Sequence, residues 1–513
     1  MTTRMTRLIS LFILLLSSTF AFAQSTPPNL NGFDGVVEQV MKEWKVPGLA
    51  VAIVKDGKVV YAQGYGYRDV KRQWKVTPDT LFAIGSLSKA FTTTAMGILV
   101  DEKKLDWDQP VRTYAPDWKL YDDYATAHIR PRDLISHQSG LPRHDQVWLS
   151  SPLPRKELFA RLRYLEPNAP VHTKYQYNNL MFVAAGGVIE RVTGGTWEEF
   201  VRRRILDPLG MKSTNFSVSD SQKSQNYSLP YNVVNGEAQE VPFLNIDAIG
   251  PAGSINSNVN EMANWLLLQL NKGKFNDAQI VSEKSLLETH TPQIVAPVPM
   301  YDETSHNKYA MGWNVDVYRG QPRLRHTGSI RGFTSSLQLL PKQKIGVIVL
   351  TNFPTHNPDV IITTNVLDRM LGLSQVPWNQ RFKEENLKAL ADSTKAKAET
   401  EAKRKKDTQP LLALQSYTGQ FEHPAYQTIT ITQDGEQLKG DLHGQPFALK
   451  HYHYDIFQIP EGGMSGRSAS YLVKFLMNDT GAIDRVAIRL EPATNEIVFT
   501  RKKEPNVAAP SGK

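Results

Sequence analysis

Ser86-Leu87-Ser88-Lys89 places a hydroxyl and an amine three positions apart. On a helix this spacing puts both on one face, with Cβ atoms about 5–6 Å from each other. A serine hydroxyl becomes an effective nucleophile when a neighbouring base takes its proton. A lysine is such a base once burial or nearby positive charge keeps its amine neutral. A helix N-terminus at Ser86 adds positive potential, and the Ser86 N–H can donate to an oxyanion. Tyr177-Asn178-Asn179 adds a phenol that can take a proton or give one to a leaving group. The Asn179 amide can bind a substrate carbonyl and hold the lysine amine. His326-Thr327-Gly328, followed by Ser329, lies in a strand-like stretch. Its glycine lets a substrate approach the backbone, and the Ser329 N–H can complete an oxyanion hole with that of Ser86. Each motif alone also has a plainer reading: a chance S-x-x-K, Tyr175 and Tyr177 alternating on a packed face, a structural histidine. Together they supply nucleophile, base, proton relay and oxyanion donors. The candidate catalytic residues are Ser86, Lys89 and Tyr177; Asn179, His326, Thr327, Gly328 and Ser329 are candidates for substrate binding.

Periodicity indicates the elements that must position these groups. Phe33, Val37, Val40, Met41 and Trp44 recur at helical spacing up to Pro47-Gly48. Residues 49–54 and 58–65 read as strands joined at Asp56-Gly57. Ser86 follows Gly85 and opens a helix to about residue 102. The stretch 110–300 reads as mostly helical with long loops, and Thr196-Trp197-Glu198-Glu199 has the spacing of a capping box. Strands return at 312–318, 323–328, 334–340 and 346–351, and a helix over about 359–371 closes this portion. Strands flanking a helical region predict an α/β (α+β) unit with an antiparallel sheet and a helical lobe, the site lying between them. Residues 381–407, rich in Lys, Glu and Ala without Gly or Pro, predict a charged helical linker. After Pro410, short strands at 428–432, 437–442, 470–476, 485–490 and 496–500 predict a small all-β barrel.

With 513 residues, 41% hydrophobic and 21% charged, the chain is globular and too long for one ordinary domain. Arg4 and Arg7, an apolar run over 8–20 and then Ala21-Phe22-Ala23 have the layout of a cleavable signal peptide. The run is shorter than the roughly 20 residues of a permanent span. A periplasmic or secreted protein is expected, with no stable membrane span once the signal is removed. The lack of cysteine excludes a thiolate nucleophile, a thiolate metal site and a lipidated N-terminal Cys. A formal charge of +8 includes the basic run Lys403-Arg404-Lys405-Lys406. No aromatic residues interleave with that run, so a solvated linker face is expected and no nucleic-acid partner.

The order of the three motifs resembles the penicillin-recognising serine hydrolases. The branch in question holds class C β-lactamases, D,D-peptidases, D-aminopeptidases and related esterases. LISHQSGLP from Leu134, ILDPLGM from Ile205, PAGSINSNVNEMANW from Pro251 and YAMGWNV from Tyr309 extend the resemblance over about 30–373. It implies Ser86 as the acylated nucleophile, Lys89 and Tyr177 as the proton-handling pair, and Asn179 as a substrate contact, with no metal or organic cofactor. Many members carry Lys where this chain has His326. A histidine, with a reference pKa near 6.5, is largely neutral at pH 7, which turns the expectation from β-lactams toward peptides and esters. Arg323, Arg325 or Arg331 could replace the missing charge, or could simply face solvent. YTGQF from Tyr417 and LVKFLMNDTGAIDRVAI from Leu472 resemble a lipocalin-like appendage, which in relatives shapes substrate access or assembly. The expected organisation is a signal peptide (1–23), a β-lactamase-like serine hydrolase domain (24–375), a linker (376–409), a lipocalin-like barrel (410–505) and a tail (506–513). The leading expectation is a peptidase, amidase or esterase acting on small peptides or esters. The alternatives are a β-lactamase and a non-catalytic receptor for peptidoglycan or an acyl ligand. An oligomer is compatible with the resemblance.

Overall fold

The computed structural model describes residues 28–234, 237–297, 301–464 and 470–503. The expected signal peptide and the 506–513 tail lie outside them.

Gly48–Lys55 and Lys58–Asp69 form an antiparallel hairpin. They join a nine-stranded sheet through the pairing of Gly48–Lys55 with Ile345–Thr351. From there the sheet runs outward through Phe333–Leu340, Gln321–Ile330, Asn314–Tyr318, Thr304–Tyr309 and Ile294–Val295, each pair antiparallel. Gly48–Lys55 is buried on both faces because its alternate side chains enter two different cores. Leu49, Val51 and Ile53 pack with Phe33, Val37, Val40, Ile362 and Val366, from helices Phe33–Trp44 and Asn357–Met370. Ala50, Ala52 and Val54 belong to the core on the other face, with Phe91, Trp265 and Leu266, from helices Ser88–Asp101 and Val259–Leu270. Burial of Ser88 through Leu99 on every side leaves that first helix little freedom to shift.

The helical lobe is built around Asn179–Thr193, buried from Asn179 to Ile189. The capping box at Thr196 and Glu199 is present. Two short ribbons, Tyr231–Val234 with Glu237–Glu240 and Lys274–Phe275 with Ala278–Gln279, interrupt the region that the sequence reads as mostly helical.

Helix Trp378–Ala402 follows, with Trp378 its one buried residue. Eight strands then close into a barrel: the first, Gly419–His423, pairs with the last, Ile497–Arg501. Alternation drives closure. In Gln437–Leu442 the residues Leu438, Gly440 and Leu442 are buried, and Phe421, Phe447, Phe457, Phe475 and Phe499 help fill the interior. The sequence pattern identifies five of these strands. It passes over Gly419–His423 and Gln445–His453, where polar residues dilute the apolar signal, and Ile456–Ile459, which is only four residues long.

Candidate active site

Ser86 sits in a single turn, Gly85–Leu87, between the short strand Phe82–Ala83 and helix Ser88–Asp101. Gly85 has φ +52°, in the left-handed region that favours glycine. Ser88 pins the turn: its hydroxyl donates to the Gly85 carbonyl at 2.8 Å and accepts from Ile255 N at 3.1 Å.

Lys89 is fully buried. Its Nζ lies 2.9 Å from Ser86 Oγ, 2.8 Å from Asn179 Oδ1 and 2.8 Å from the Ala252 carbonyl. None of these partners is a carboxylate. Burial drives the Lys89 pKa well below the ordinary lysine value, and the Arg143 charge lowers it further against the opposing pull of Asp145. Tyr177 donates its hydroxyl to Ser86 Oγ at 2.8 Å. Burial pushes this phenol up to about 12, so it holds its proton at neutral pH. Ser86 thus has an amine that readily gives up its charge on one side and a protonated phenol on the other. That arrangement can remove the hydroxyl proton and return one to a leaving group.

Asn178 caps helix Asn179–Thr193 through Met181 N, and its Nδ2 donates to the carbonyls of Leu141 and Pro142. The cap therefore sets both the direction of Asn179 and the position of the 141–145 loop. His137, at φ 62°, accepts from Asn178 N at 3.1 Å and lays its ring 4.3 Å from that of Tyr177. The rings of Tyr175 and Tyr309 complete the surround at 5.7 and 4.7 Å from His137.

The third motif lies on Gln321–Ile330. This strand pairs with Phe333–Leu340 to its end, whereas its pairing with Asn314–Tyr318 stops at Arg325. Residues 326–330 therefore have one edge that Asn314–Tyr318 leaves uncovered. A Cβ on Gly328 would fall 1.9 Å from the Ile84 carbonyl oxygen, and one on Gly85 would fall 2.6 Å from Ser329 N. This strand and the Gly85–Leu87 turn are in backbone contact, so Ser329 N sits beside the turn that carries Ser86. His326 is neutral: burial, reinforced by Lys89, holds its pKa down to about 3. Its Nδ1–H donates to the Thr327 carbonyl at 2.6 Å, and its Nε2 accepts from Tyr309 Oη at 3.1 Å.

Two of the three arginines that the sequence offers as a replacement charge, Arg323 and Arg325, are bonded elsewhere. Arg323 makes a two-pronged pair with Asp316 at 2.8 Å and reaches Gln338 at 2.9 Å. Arg325 shares the same Asp316 at 2.8 Å and also donates to Asn307. Strand alternation points both away from the His326 face. They line a cavity of about 200 Å³ with Tyr301, Thr327, Trp378 and Phe382, which His326 borders as well. Arg323 is buried, which removes the solvent-exposed reading.

Of the eight predicted residues, Ser86, Lys89, Tyr177 and Asn179 meet through side-chain bonds, His326 lies 6.2 Å from the Tyr177 ring, Gly328 and Ser329 adjoin through their backbone, and the Thr327 side chain lines the arginine cavity. Spacing had not singled out Arg143 and Asp145. Arg143 donates to Asp145 Oδ2 at 2.6 Å, and its guanidinium carbon lies 5.0 Å from the Tyr177 ring centroid. Asp145 Oδ1 accepts from Asn179 Nδ2 at 3.3 Å and from Trp148 Nε1 at 3.0 Å. The one available signal was their position directly after LISHQSGLP.

Comparison with known proteins identifies the family. Residues 33–368 match the family described as Beta-lactamase, and 403–501 match the Domain of unknown function (DUF3471). Unguisins hydrolase ungD' of Aspergillus campestris (strain IBT 28561) is 30% identical over 503 residues, which cover 92% of this chain and 91% of that protein. The octameric penicillin-binding protein homologue from Pyrococcus abyssi superposes with a TM-score of 0.62 at 24% identity, over 92% of this chain and 100% of the other. The D-amino acid amidase from Ochrobactrum anthropi SV3 gives 0.56 at 21% identity, over 67% of this chain and 98% of the other. At these identities the two structures speak for the fold. The family match over most of the sheet and helical lobe, together with the full-length relative, places the chain in the beta-lactamase family of serine hydrolases.

Proposed function

We propose that this chain is an exported hydrolase that cleaves amide or ester bonds of small acyl or peptide substrates through an acyl-enzyme on Ser86. The observation that carries the reading is the position of Ser86 Oγ, 2.9 Å from a buried Lys89 amine and 2.8 Å from the Tyr177 hydroxyl. Lys89, with its depressed pKa, takes the Ser86 proton as Oγ attacks the carbonyl. The N–H groups of Ser86 and Ser329 stabilise the oxyanion. Tyr177, protonated at neutral pH, donates to the departing amine or alcohol. Water then attacks the acyl-enzyme, with the same pair working in reverse. No step calls for a metal or organic cofactor.

A neutral His326 favours peptide amides and esters over β-lactams, which use a fixed positive charge at that position. Among proteins of the same fold, the D-amino acid amidase is in line with this preference, while the class C beta lactamase from Rhodobacter sphaeroides represents the alternative. Export rests on Arg4, Arg7 and the apolar run that ends at Ala23, and the barrel is read as the lipocalin-like appendage. Mass spectrometry of the mature N-terminus in a periplasmic or culture fraction tests export, and an intact Met1 would refute it.

A fluorophosphonate probe tests the nucleophile: the mature protein is labelled and Ser86→Ala is not. Equal labelling of the two, or none of either, would leave a non-catalytic receptor. A short acyl ester, a D-aminoacyl anilide and a chromogenic cephalosporin assayed in parallel rank the substrates. Efficient turnover of the cephalosporin alone would establish a β-lactamase instead.

A further inference from the structure

The hydrolase unit and the barrel meet at His144, next to Arg143 and Asp145 of the Ser86 site. His144 lies buried there, at φ 47°. A non-glycine residue occupies that left-handed conformation at a cost, so surrounding contacts must hold it. The Tyr426 hydroxyl donates to His144 Nδ1 at 2.7 Å, and His144 Nε2–H donates to the Glu166 carbonyl at 3.4 Å. The His144 backbone N–H donates to Glu491 Oε2 at 3.1 Å. Tyr426 and Glu491 both belong to the barrel, and both are buried. Gln427 to Ser151 at 2.8 Å and Asn168 to the Ala493 carbonyl at 2.7 Å extend the same seam.

The residues on either side of His144 face the nucleophile. Lys89 Nζ lies 4.9 Å from the Tyr177 ring centroid and the Arg143 guanidinium 5.0 Å from it, so two basic groups share one phenol ring. Asp145 ties Arg143 to Asn179. No hydrogen bond to another described residue engages the two terminal nitrogens of Arg143, and its side chain is 44% exposed. Its placement therefore rests on the Asp145 bond, on the nearby charge of Glu491 and on the loop backbone, whose central residue is held by the barrel.

We propose that the C-terminal barrel is a working part of the catalytic centre. Tyr426 and Glu491 are positioning residues which, through His144, keep Arg143 against Tyr177 and Asp145 on Asn179. This rests on the acyl-transfer reading of Ser86, Lys89 and Tyr177. Five groups face the Lys89 amine: Arg143 and Asp145 from the loop, Tyr177 from the segment before helix Asn179–Thr193, and the neutral His137 and His326. Arg143 is the permanent cation among them and opposes protonation of the amine. When Arg143 is loosened, Lys89 protonates more readily and the acid limb of kcat/KM moves to higher pH.

The test compares pH profiles of kcat/KM for the parent protein, Arg143→Gln, Arg143→Lys, Tyr426→Phe and the double variant Tyr426→Phe with Glu491→Gln. Thermal unfolding and hydrogen exchange over 141–151 are measured alongside. Arg143→Gln and the double variant are expected to lose about 10- to 100-fold in kcat/KM, the range a displaced catalytic group costs. Both acid limbs should move to higher pH, while Arg143→Lys keeps the limb close to its original place. The double variant should also exchange faster over 141–151. An unshifted limb in the double variant, or unchanged exchange there, overturns the proposal. If the parent protein neither turns over any substrate nor takes the fluorophosphonate, the acyl-transfer reading has failed. The exchange data then decide by themselves whether the barrel holds the loop.

Discussion

On one side of the cleft, His326, Thr327, Gly328 and Ser329 are delivered by a strand whose ladder to Phe333–Leu340 runs unbroken through Ile330. On the other side, Arg143, Asp145 and Asn179 stand on or beside irregular backbone, joined by side-chain bonds to His137, Asn178 and the barrel. A ladder places atoms through main-chain hydrogen bonds that any residue other than proline can make. The strand wall is thus insensitive to most side-chain changes and vulnerable where backbone touches backbone. The loop wall is the reverse, since each bond holding it belongs to a particular side chain. The two walls also handle charge differently. The strand wall is neutral at His326 and keeps its arginines on the opposite face with Asp316, whereas the loop wall presents the Arg143–Asp145 pair to Lys89.

The largest effect separating the walls is expected at Gly328. Gly328→Val adds carbon where the Ile84 carbonyl already sits at 1.9 Å, so the turn bearing Ser86 must move. A shift of about 1 Å costs on the order of 100-fold in kcat/KM. Thr327→Val, on the same strand, should lose less than about tenfold if the ladder rather than the side chain sets this wall. Matching losses in the two variants would break the distinction.

Asp145→Asn examines the loop wall with a smaller change. The amide keeps an acceptor for Trp148 and loses the charge that pairs with Arg143. Asp145 favours the Lys89 ammonium and Arg143 disfavours it. Removing the carboxylate charge therefore lowers the Lys89 pKa, and the acid limb moves to lower pH, opposite to Arg143→Gln. A loss of about tenfold in kcat/KM is expected. A limb displaced upward would show that Asp145 acts by holding Arg143 and not by its own charge.

The smallest effect is on stability. Burial holds the His144 pKa down to about 4, below the roughly 6.5 of an unfolded chain. Between those values the unfolded state binds more protons, so stability falls as pH drops from about 6.5 toward 4. At about pH 5 this one group accounts for a loss of about 2 kcal/mol relative to pH 7. His144→Gln should flatten the decline by that amount in denaturant melts at the two pH values. An unchanged slope would mean that the barrel seam does not keep His144 neutral.

Much of this molecule is legible in its residue order. The helix that follows Ser86, beginning at Ser88, the Asp56-Gly57 hairpin and the Thr196–Glu199 cap are all set by local spacing, and each forms. Short-range periodicity is a strong signal because helix and strand geometry repeat over a few residues. The edge strand Ile294–Val295, its neighbour Thr304–Tyr309 and three barrel strands escaped it, since their pairing partners rather than their own composition stabilise them.

Residue type and order by themselves singled out the proposed nucleophile, its amine and phenol neighbours, and the glycine that admits close backbone contact. These follow from what a hydroxyl, an amine and a missing Cβ can do at given spacings. The charge that acts on Lys89, and what holds that charge in place, were decided only by the tertiary structure. His144 and Tyr426 are 282 residues apart, and no local pattern encodes their meeting. Arg143 reads as an ordinary surface arginine until a separate barrel closes against the loop that carries it.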